Sequence, residues 1–335
     1  MVNGRSVRKT RISALATYVP PKILDNQMLS QMVETSDEWI LQRTGIKTRH
    51  IVEKGVAASD LGAEAARKVL AQAGLTPDDI DVIIVGTTTP DMFFPNTASL
   101  IQAKIGATRC WGFDVGAACS GFTYSVAIGS EIVAAGKNER ALVVGADIMS
   151  SITDYTDRTT CILFGDAAGA VIIEPAVERG LEIIGYEHEN DPTNWQALQM
   201  PGGGSLHPAT HETVDQKLHY IRQDGQAVFK FAVRKTEEIS RRLLEKNGYS
   251  VDDLGLFVSH QANLRIITSA AARLGLPDSK VMLNIYDYGN TTAATIPLAL
   301  DDAIRQGRLK KGDLVLLVSV GAGFTVASVL VRWAF

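Results

Sequence analysis

The chain has 335 residues, of which 46% are hydrophobic and 21% charged, so a large buried core is expected and extended disorder is not. A formal net charge of −4 argues against nucleic acid as the main partner, and the lack of any apolar run of about 18 residues argues against a membrane span. Three cysteines without metal-type or disulfide-type spacing, and a basic opening with no apolar signal stretch after it, predict a cytoplasmic protein with reduced thiols.

A helix, an Asp-Asp turn and an apolar strand follow one another twice along the chain. The first copy runs from Ala65 to Gly86 and the second from Ile239 to His260, with matching positions 174 residues apart. Alternating helical and β-rich runs predict an α/β fold with buried sheets. We therefore interpret the chain as two duplicated halves, 1–180 and 181–335, packed about a pseudo-twofold axis.

Cys119 stands between a predicted strand, 109–115, and a predicted helix, 122–135. A thiol at the N-terminus of a helix meets the positive end of the helix dipole, which favours the reactive thiolate. The glycines and alanines on both sides of Cys119 allow a substrate to approach closely. Cys119 is therefore the candidate nucleophile, whereas the other two cysteines lie in apolar strand-like runs and are interpreted as buried small hydrophobes.

The segment 187–220 interrupts the alternation of helices and strands. It is polar, has no clear period, and contains three prolines and three consecutive glycines. A loop of this length is usually functional or mobile. A cover over a substrate channel and a plain linker are both open interpretations.

Two polar residues follow apolar strands in the second half: His260, in the run 260–263, and Asn290, in the run 288–292. A site at the junction of the halves would bring both of them to Cys119. Cysteine, histidine and asparagine placed in this way suggest covalent acyl transfer. A satisfied core histidine, a turn asparagine and a cysteine hydrolase of the protease or amidase kind are the alternatives that the residue types alone permit.

Six motifs, in order along essentially the whole chain, resemble the β-ketoacyl-[acyl carrier protein] synthase III family of the thiolase superfamily. They are Asp37–Ile40 with Arg43–Ile46, Ala118–Phe122, Phe164–Ala170, His260–Arg265, Gly289–Thr291 and Gly321–Thr325. The resemblance implies a thiolase-like fold with duplicated halves in αβαβα layers. It also implies an acyltransferase that takes a short acyl group from acyl-coenzyme A. That group is joined to malonyl-acyl carrier protein with loss of CO2, giving a 3-oxoacyl-acyl carrier protein and initiating type II fatty acid synthesis.

The resemblance also implies roles for individual residues. The implied catalytic residues are Cys119, His260 and Asn290. The implied oxyanion hole is formed by the backbone N–H groups of Cys119 and Ala322. The implied coenzyme A cleft contains Thr35, Trp39, Arg43, Arg158, Gly225 and Gln226. The implied carrier-protein docking residues are Lys230, Gln261, Arg265 and Arg273. Ordinary solvated charges are the alternative for the three basic residues, and simple helix packing is the alternative for Trp39. No metal and no cofactor beyond the coenzyme A thioester substrate is implied.

An apolar tip at 91–96 carries Phe94, and such a tip is poorly suited to water. Packing within the chain is one interpretation. The resemblance implies the other, in which Phe94 crosses a homodimer interface and, with Val320, shapes the acyl pocket. A bulky ring in that pocket would favour short primers such as acetyl.

Three positions depart from the family pattern. Val320 stands where many relatives carry phenylalanine beside the His-Asn pair, Gln226 replaces a shorter amide, and Gln223 replaces a common apolar residue. These departures leave the reaction class intact but leave primer preference and coenzyme affinity open. The same residues could also serve a secondary pathway, such as polyketide or quinolone assembly, or acyl transfer to another acceptor. A catalytically silent partner subunit is disfavoured by the intact Cys119, His260 and Asn290.

Overall fold

The computed structural model describes residues 8–335, so most of the basic opening of the chain lies outside the described residues. The elements of the first half are β1 (Thr10–Tyr18), β2 (Lys22–Asp25), α1 (Asn26–Ser30), α2 (Asp37–Thr44), β3 (Thr48–Ile51), α3 (Ala58–Ala73), β4 (Val82–Gly86), α4 (Thr97–Ile105), β5 (Trp111–Val115), α5 (Gly121–Ala134), β6 (Ala141–Ile148) and β7 (Asp166–Pro175). Those of the second half are β8 (Ile183–Asn190), β9 (Leu198–Gln199), α6 (His211–Asp215), β10 (Arg222–Gln223), α7 (Gly225–Lys246), β11 (Leu256–Ser259), α8 (Leu264–Leu274), α9 (Ile285–Tyr288), α10 (Thr295–Arg305), β12 (Leu314–Gly321) and β13 (Thr325–Arg332). In this part of the chain no helix has the length and apolar character needed to cross a bilayer.

The two large sheets repeat one strand order. The first runs β1-β7-β6-β4-β5 and the second β8-β13-β12-β11. β4 pairs parallel with β6, as β11 does with β12. β7 pairs antiparallel with β6 and β1, as β13 does with β12 and β8, and β5 adds a parallel pair with β4. The counterpart of β5 is reduced to one isolated parallel bridge between Phe257 of β11 and Val281. The duplication that the sequence indicated is therefore present, with one strand missing from the second copy.

Helices form three layers around these sheets. α3 and α4 pack on the outside of the first sheet through residues such as Val69 and Ile101, and α7 and α8 pack on the second through Leu243. α5 and α10 lie between the sheets, where Val126 and Ile296 share one core with strands of both. Each such buried aliphatic side chain contributes about 1.5–3 kcal/mol. The predicted thiolase-like αβαβα order is confirmed.

A close backbone contact fixes the start of α5. A Cβ atom added at Gly86, the last residue of β4, would lie 2.4 Å from the carbonyl carbon of Gly121, the first residue of α5. Only glycine permits this approach. Because Cys119 precedes α5 by two residues, the contact holds the cysteine at the end of the first sheet, in the strand-turn-helix setting that the sequence predicted.

The polar segment 187–220 is more ordered than its sequence indicated. Its first residues, Glu187–Asn190, belong to β8 and pair with β13, so the predicted interruption was wrong at its start. A 3-10 turn at Pro192–Ala197, β9 and α6 follow. The run 198–200 borders the cavity described below, which supports the cover rather than the linker.

Candidate active site

A cavity of about 1060 Å³ opens where the two halves meet. Both halves contribute to its wall: Cys119 comes from the first half, and His260, Asn290, Val320 and Ala322 come from the second. The three residues predicted to act together thus line one cavity, although 171 residues separate the first of them from the last. No group of three or more His, Cys, Asp or Glu side chains that could hold a metal ion occurs within residues 8–335.

Cys119 occupies a 3-10 turn between β5 and α5. Its side chain is only 8% exposed, and Ala118 before it has a φ of +47°. Burial, together with the negative charge of Asp147, raises the pKa of the Cys119 thiol to about 12. The dipole of α5 acts in the opposite direction, but desolvation outweighs it. A pKa this high favours the thiol form of Cys119 at neutral pH, rather than the thiolate that the sequence predicted.

The backbone N–H groups of Cys119 and Ala322, the predicted oxyanion hole, lie in two segments that approach each other closely. A Cβ atom at Gly321 would lie 2.8 Å from the backbone nitrogen of Cys119, so the turn after β12 passes directly over the cysteine. Neither the N–H of Cys119 nor that of Ala322 donates to a carbonyl group among residues 8–335. Free N–H groups that converge on one point can stabilise an oxyanion.

His260 follows the end of β11 and is held at two points. Its backbone N–H donates to Val318 O at 2.7 Å, and its Nδ1 lies 2.7 Å from Thr295 Oγ1. The side chain is 5% exposed, and burial lowers the pKa of His260 to about 3. The imidazole is therefore neutral at physiological pH, and Nε2 is the ring nitrogen left for the cavity.

Asn290 is fixed by its backbone and by its side chain. Its N–H donates to Leu163 O at 2.9 Å, and its carbonyl oxygen accepts from the N–H of Gly165 at 3.1 Å. The side-chain Oδ1 accepts from the N–H of Thr292 at 2.9 Å. Because the oxygen is occupied, the amide NH2 group remains as the donor available to a substrate.

Aromatic and basic side chains surround the mouth of the cavity. The guanidinium carbons of Arg43 and Arg158 lie 4.7 and 4.9 Å from the centre of the Trp39 ring, within the range of a cation–π contact. Arg158 also donates to Glu34 O at 3.0 Å. Other predicted residues on the cavity wall are Gly225, Gln226, Lys230, Arg265 and Val320, together with the departing Gln223.

Four predicted site residues do not border the cavity. Gln261 is wrong as a docking residue: it is 1% exposed, and its amide donates to Ser259 O and Met282 O at 2.9 and 3.1 Å. A buried and satisfied amide cannot meet a partner protein. Thr35 does not border the cavity, and its hydroxyl is buried with no partner within residues 8–335, so its place in the coenzyme cleft stays a prediction.

The other two are exposed. Arg273 lies away from the cavity, and its Nε donates to Glu237 Oε2 at 2.6 Å. The pKa of Glu237 is lowered, first by this bond, so the charge of Arg273 is partly offset. Phe94 is 84% exposed and does not border the cavity of its own chain, so packing within the chain is wrong as an interpretation.

Sequence reasoning missed the residues that hold the catalytic ones. Thr295 fixes the His260 ring, Thr292 fixes the Asn290 amide, and Asp147 binds Thr292. A signal for Asp147 did exist, because one carboxylate in the otherwise apolar run 141–149 requires buried partners. Nothing local in the sequence points to Thr292 or Thr295.

The chain is similar to known proteins over nearly its whole length. The family model of 3-oxoacyl-[acyl-carrier-protein] synthase III matches residues 113–192, and the model of that enzyme's C-terminal part matches residues 244–333. A β-ketoacyl-[acyl-carrier-protein] synthase III of Koribacter versatilis is 53% identical over 98% of this chain and 99% of its own. One of Chlorobaculum tepidum is 48% identical over 97% of this chain and 99% of its own.

Solved structures give the same result. The crystal structure of 3-oxoacyl-[acyl-carrier-protein] synthase III from Aquifex aeolicus superposes with a TM-score of 0.90 at 40% identity, covering 97% of this chain and 100% of that one. The priming β-ketosynthase from the R1128 polyketide biosynthetic pathway superposes with a TM-score of 0.91 at 32% identity, covering 99% of both chains.

Proposed function

The chain belongs to the β-ketoacyl-[acyl-carrier-protein] synthase III family and is an acyl-transferring condensing enzyme, and from this premise we propose that Cys119 carries the acyl group while His260 and Asn290 activate malonyl-acyl carrier protein. The overall reaction joins a short acyl group from acyl-coenzyme A to malonyl-acyl carrier protein, giving a 3-oxoacyl-acyl carrier protein and CO2. It would initiate type II fatty acid synthesis. The observation that carries this proposal is the meeting of Cys119, His260 and Asn290 in one cavity built from both halves.

The first half-reaction is acyl transfer to Cys119. The sulfur attacks the thioester carbon, the bond from that carbon to the coenzyme sulfur breaks, and the thiol proton leaves with coenzyme A. During the attack, negative charge develops on the thioester oxygen. The N–H groups of Cys119 and Ala322 are free to stabilise that charge.

The second half-reaction is decarboxylation and condensation. Malonyl thioester loses CO2, and the electron pair of the broken bond forms an enolate with its charge on the thioester oxygen. The Asn290 amide and His260 Nε2–H can both donate to that oxygen. In the tautomer with the proton on Nε2, Nδ1 accepts from the Thr295 hydroxyl at 2.7 Å, and that hydroxyl must then turn away from Thr292 O, to which it otherwise donates at 3.0 Å. The enolate carbon then attacks the acyl thioester on Cys119 and releases the thiolate. Hydrogen bonds alone stabilise the carbanion, so the proposed chemistry uses no metal and no redox cofactor.

The coenzyme would bind at the mouth through Trp39. The ring is now covered by the Arg43 and Arg158 guanidinium groups. Insertion of an adenine between Trp39 and Arg158 therefore requires Arg158 to give up its contact with the ring. Gly225 and Gln226, at the N-terminus of α7, would border the rest of the coenzyme. The reactive thiol and two further free cysteines favour a reducing compartment, so we place the enzyme in the cytoplasm.

A basic rim would receive the acidic carrier protein. Lys230 and Arg265 are exposed on the cavity edge, and Arg265 lies 5.7 Å from the Phe229 ring centre. A solvent-exposed charge contact contributes up to about 1 kcal/mol. Lys230→Glu and Arg265→Glu should therefore each raise KM for malonyl-acyl carrier protein roughly fivefold, and high salt should reduce the effect. Steady-state kinetics with each substrate varied in turn measures this.

Arg179 offers a matched control for the charge change. It is exposed between β7 and β8, away from the cavity, so Arg179→Glu should leave both KM values unchanged. Arg273 should contribute less than Lys230 or Arg265 because Glu237 already offsets it. Equal losses for acyl-coenzyme A and carrier protein in the Lys230 and Arg265 variants would contradict docking at this rim.

Phe94 would act in a partner subunit. Phe93 and Phe94 are 80% and 84% exposed in the single chain, and a homodimer would cover such a tip. Phe94→Ala and Phe94→Thr should then gain activity on longer or branched primers, because each methylene newly accommodated contributes about 0.8 kcal/mol, roughly fourfold in binding. Primer profiles from a panel of acyl-coenzyme A substrates measure the gain, with Phe93→Ala as the control for loss of a neighbouring ring. A monomer by light scattering, or an unchanged profile, would count against this role.

A secondary pathway is the second candidate function. The similarity to a priming β-ketosynthase of a polyketide pathway favours it, because that protein has the same fold and belongs to a pathway other than fatty acid synthesis. Incubation with acyl-coenzyme A primers and malonyl-acyl carrier protein, with products identified by mass, distinguishes the two. Preferred condensation of acetyl supports fatty acid initiation. Transfer of the acyl group to another acceptor without loss of CO2 would overturn the proposal.

A further inference from the structure

Asp147 is a buried carboxylate to which the proposed mechanism assigns no role. It lies at the end of β6, its side chain is 0% exposed, and no salt bridge within residues 8–335 involves it. Its Oδ1 accepts from the run Thr87–Thr89: three hydroxyl groups at 2.9–3.1 Å and the N–H groups of Thr88 and Thr89 at 2.7 and 3.2 Å. So many donors, and no cation, mean that hydrogen bonds alone compensate the burial of this carboxylate.

The other oxygen of Asp147 reaches the second half of the chain. Oδ2 accepts from the hydroxyl of Thr292 and, at 3.2 Å, from the N–H of Ala293. Thr292 has a φ of +50°, a conformation that a β-branched residue rarely adopts without support. The contact with Asp147 supplies that support from a strand 145 residues away.

Thr292 in turn controls Asn290. The Thr292 N–H donates to Asn290 Oδ1, which leaves the amide NH2 group for the cavity. If the turn relaxed, the amide could rotate and present its oxygen instead. An oxygen at that place would repel an enolate rather than stabilise it.

The charge of Asp147 also acts on Cys119, whose pKa it helps to raise. The other ionisable groups on the cavity wall are His260, which is neutral, and a set nearer the mouth: Arg43, Arg158, Asp224, Lys230 and Arg265. Among these charged groups, Asp147 is the one that raises the pKa of the Cys119 thiol. The thiol therefore reports on Asp147 independently of Asn290.

We infer that Asp147 is a positioning residue that links the two halves of the site: from strand β6 it holds Thr292, and through Thr292 it keeps the Asn290 amide turned toward the malonyl thioester. This inference rests on the proposed function, because it assigns Asn290 to decarboxylation. Asp147 itself touches neither substrate.

Asp147→Asn tests the inference with two readouts that move in opposite directions. Loss of the charge should shift the pH profile of Cys119 alkylation by iodoacetamide to lower pH, so alkylation at pH 8 becomes faster. Loss of the bond to Thr292 should slow decarboxylation of malonyl-acyl carrier protein by about 10- to 100-fold. The upper value is the effect expected when the Asn290 amide no longer donates to the enolate oxygen at all. Acylation by saturating acyl-coenzyme A should persist.

Asp166→Asn is the matched control. Asp166 is also 0% exposed, on the neighbouring strand β7, and accepts from Ser150 and Val52 but not from Thr292. It should leave both readouts at wild-type values. If Asp147→Asn behaves like Asp166→Asn, the inference is overturned.

If Asp147→Asn does not fold, Thr292→Ala tests the same inference. It removes the hydroxyl bond but keeps the charge, so decarboxylation should slow while the alkylation profile stays unchanged. Ala118 shows that alanine is accepted at a similar φ in this fold. Unchanged decarboxylation in Thr292→Ala would overturn the inference. If Thr292→Ala and Asn290→Ala both decarboxylate at the wild-type rate, the proposed role of Asn290 fails. If Asn290→Ala is slow while Thr292→Ala is normal, the proposed function stands and the inference about Asp147 fails.

Discussion

Cys119→Ala is expected to abolish covalent acylation and to reduce condensation by roughly 10⁴-fold or more, the scale of loss when a catalytic nucleophile is removed. No other sulfur can replace it, because neither Cys110 nor Cys161 borders the cavity. The variant should still decarboxylate malonyl-acyl carrier protein, since His260 and Asn290 remain. Intact-mass detection of the acyl-enzyme and release of labelled CO2 measure the two half-reactions separately.

Cys110→Ala is the matched control for the loss of a buried thiol. Cys110 is 9% exposed, close to the 8% of Cys119, but it lies outside the cavity. This variant should acylate and condense like the wild type. Normal condensation by Cys119→Ala would show that the mechanism is wrong.

His260→Ala and Asn290→Ala are expected to give the reverse pattern. Each removes one donor to the enolate oxygen, so decarboxylation should fall by about 10²–10³-fold while acylation of Cys119 persists. The same two assays, with Cys119→Ala run beside them, separate the effects. Loss of acylation in step with decarboxylation would indicate a general defect of the site and contradict the division of roles.

The pH dependence of decarboxylation provides a further check on His260. Burial lowers the pKa of His260 to about 3, so the imidazole stays neutral from pH 5 upward. A neutral N–H donor needs no protonation step. The decarboxylation rate of Cys119→Ala should therefore show no inflection from His260 between pH 5 and 8, and a loss of rate as pH rises through 6–7 would mean that the charged imidazolium is the active form.

Much of the fold was predictable because the duplication repeats local patterns. Helix, Asp-Asp turn and apolar strand recur at a constant offset, and each half forms its sheet in the same order. The missing fifth strand could not be predicted in this way. The chain near Val281 keeps only the single bridge to Phe257, and no local pattern distinguishes it from the run that forms β5 in the first half.

The catalytic residues were predictable, but their supports were not. Cys119 and His260 each follow a strand in a recognisable motif, whereas Asn290 follows the short helix α9, so the apolar strand predicted before Asn290 was wrong. Asp147 and Thr292 meet across 145 residues, and no local period shows such a contact. Gln261 shows the converse error, since its motif suggested a surface residue while its bonds to Ser259 and Met282 bury it.

The side chain of Phe94 could not be placed from its sequence neighbours alone. Its apolar neighbours indicated burial, yet the side chain is 84% exposed in the single chain. An exposed aromatic tip of this size is typical of an interface.

The most direct test of the account is to find the acyl group. Wild-type protein would be incubated with acetyl-coenzyme A alone, digested and mapped by mass spectrometry, before and after a chase with malonyl-acyl carrier protein. We predict an acetyl group on the peptide that contains Cys119, and its loss during the chase together with release of CO2 and formation of the 3-oxoacyl product. An acyl group on another residue, or one that remains on Cys119 while product forms, would contradict the account.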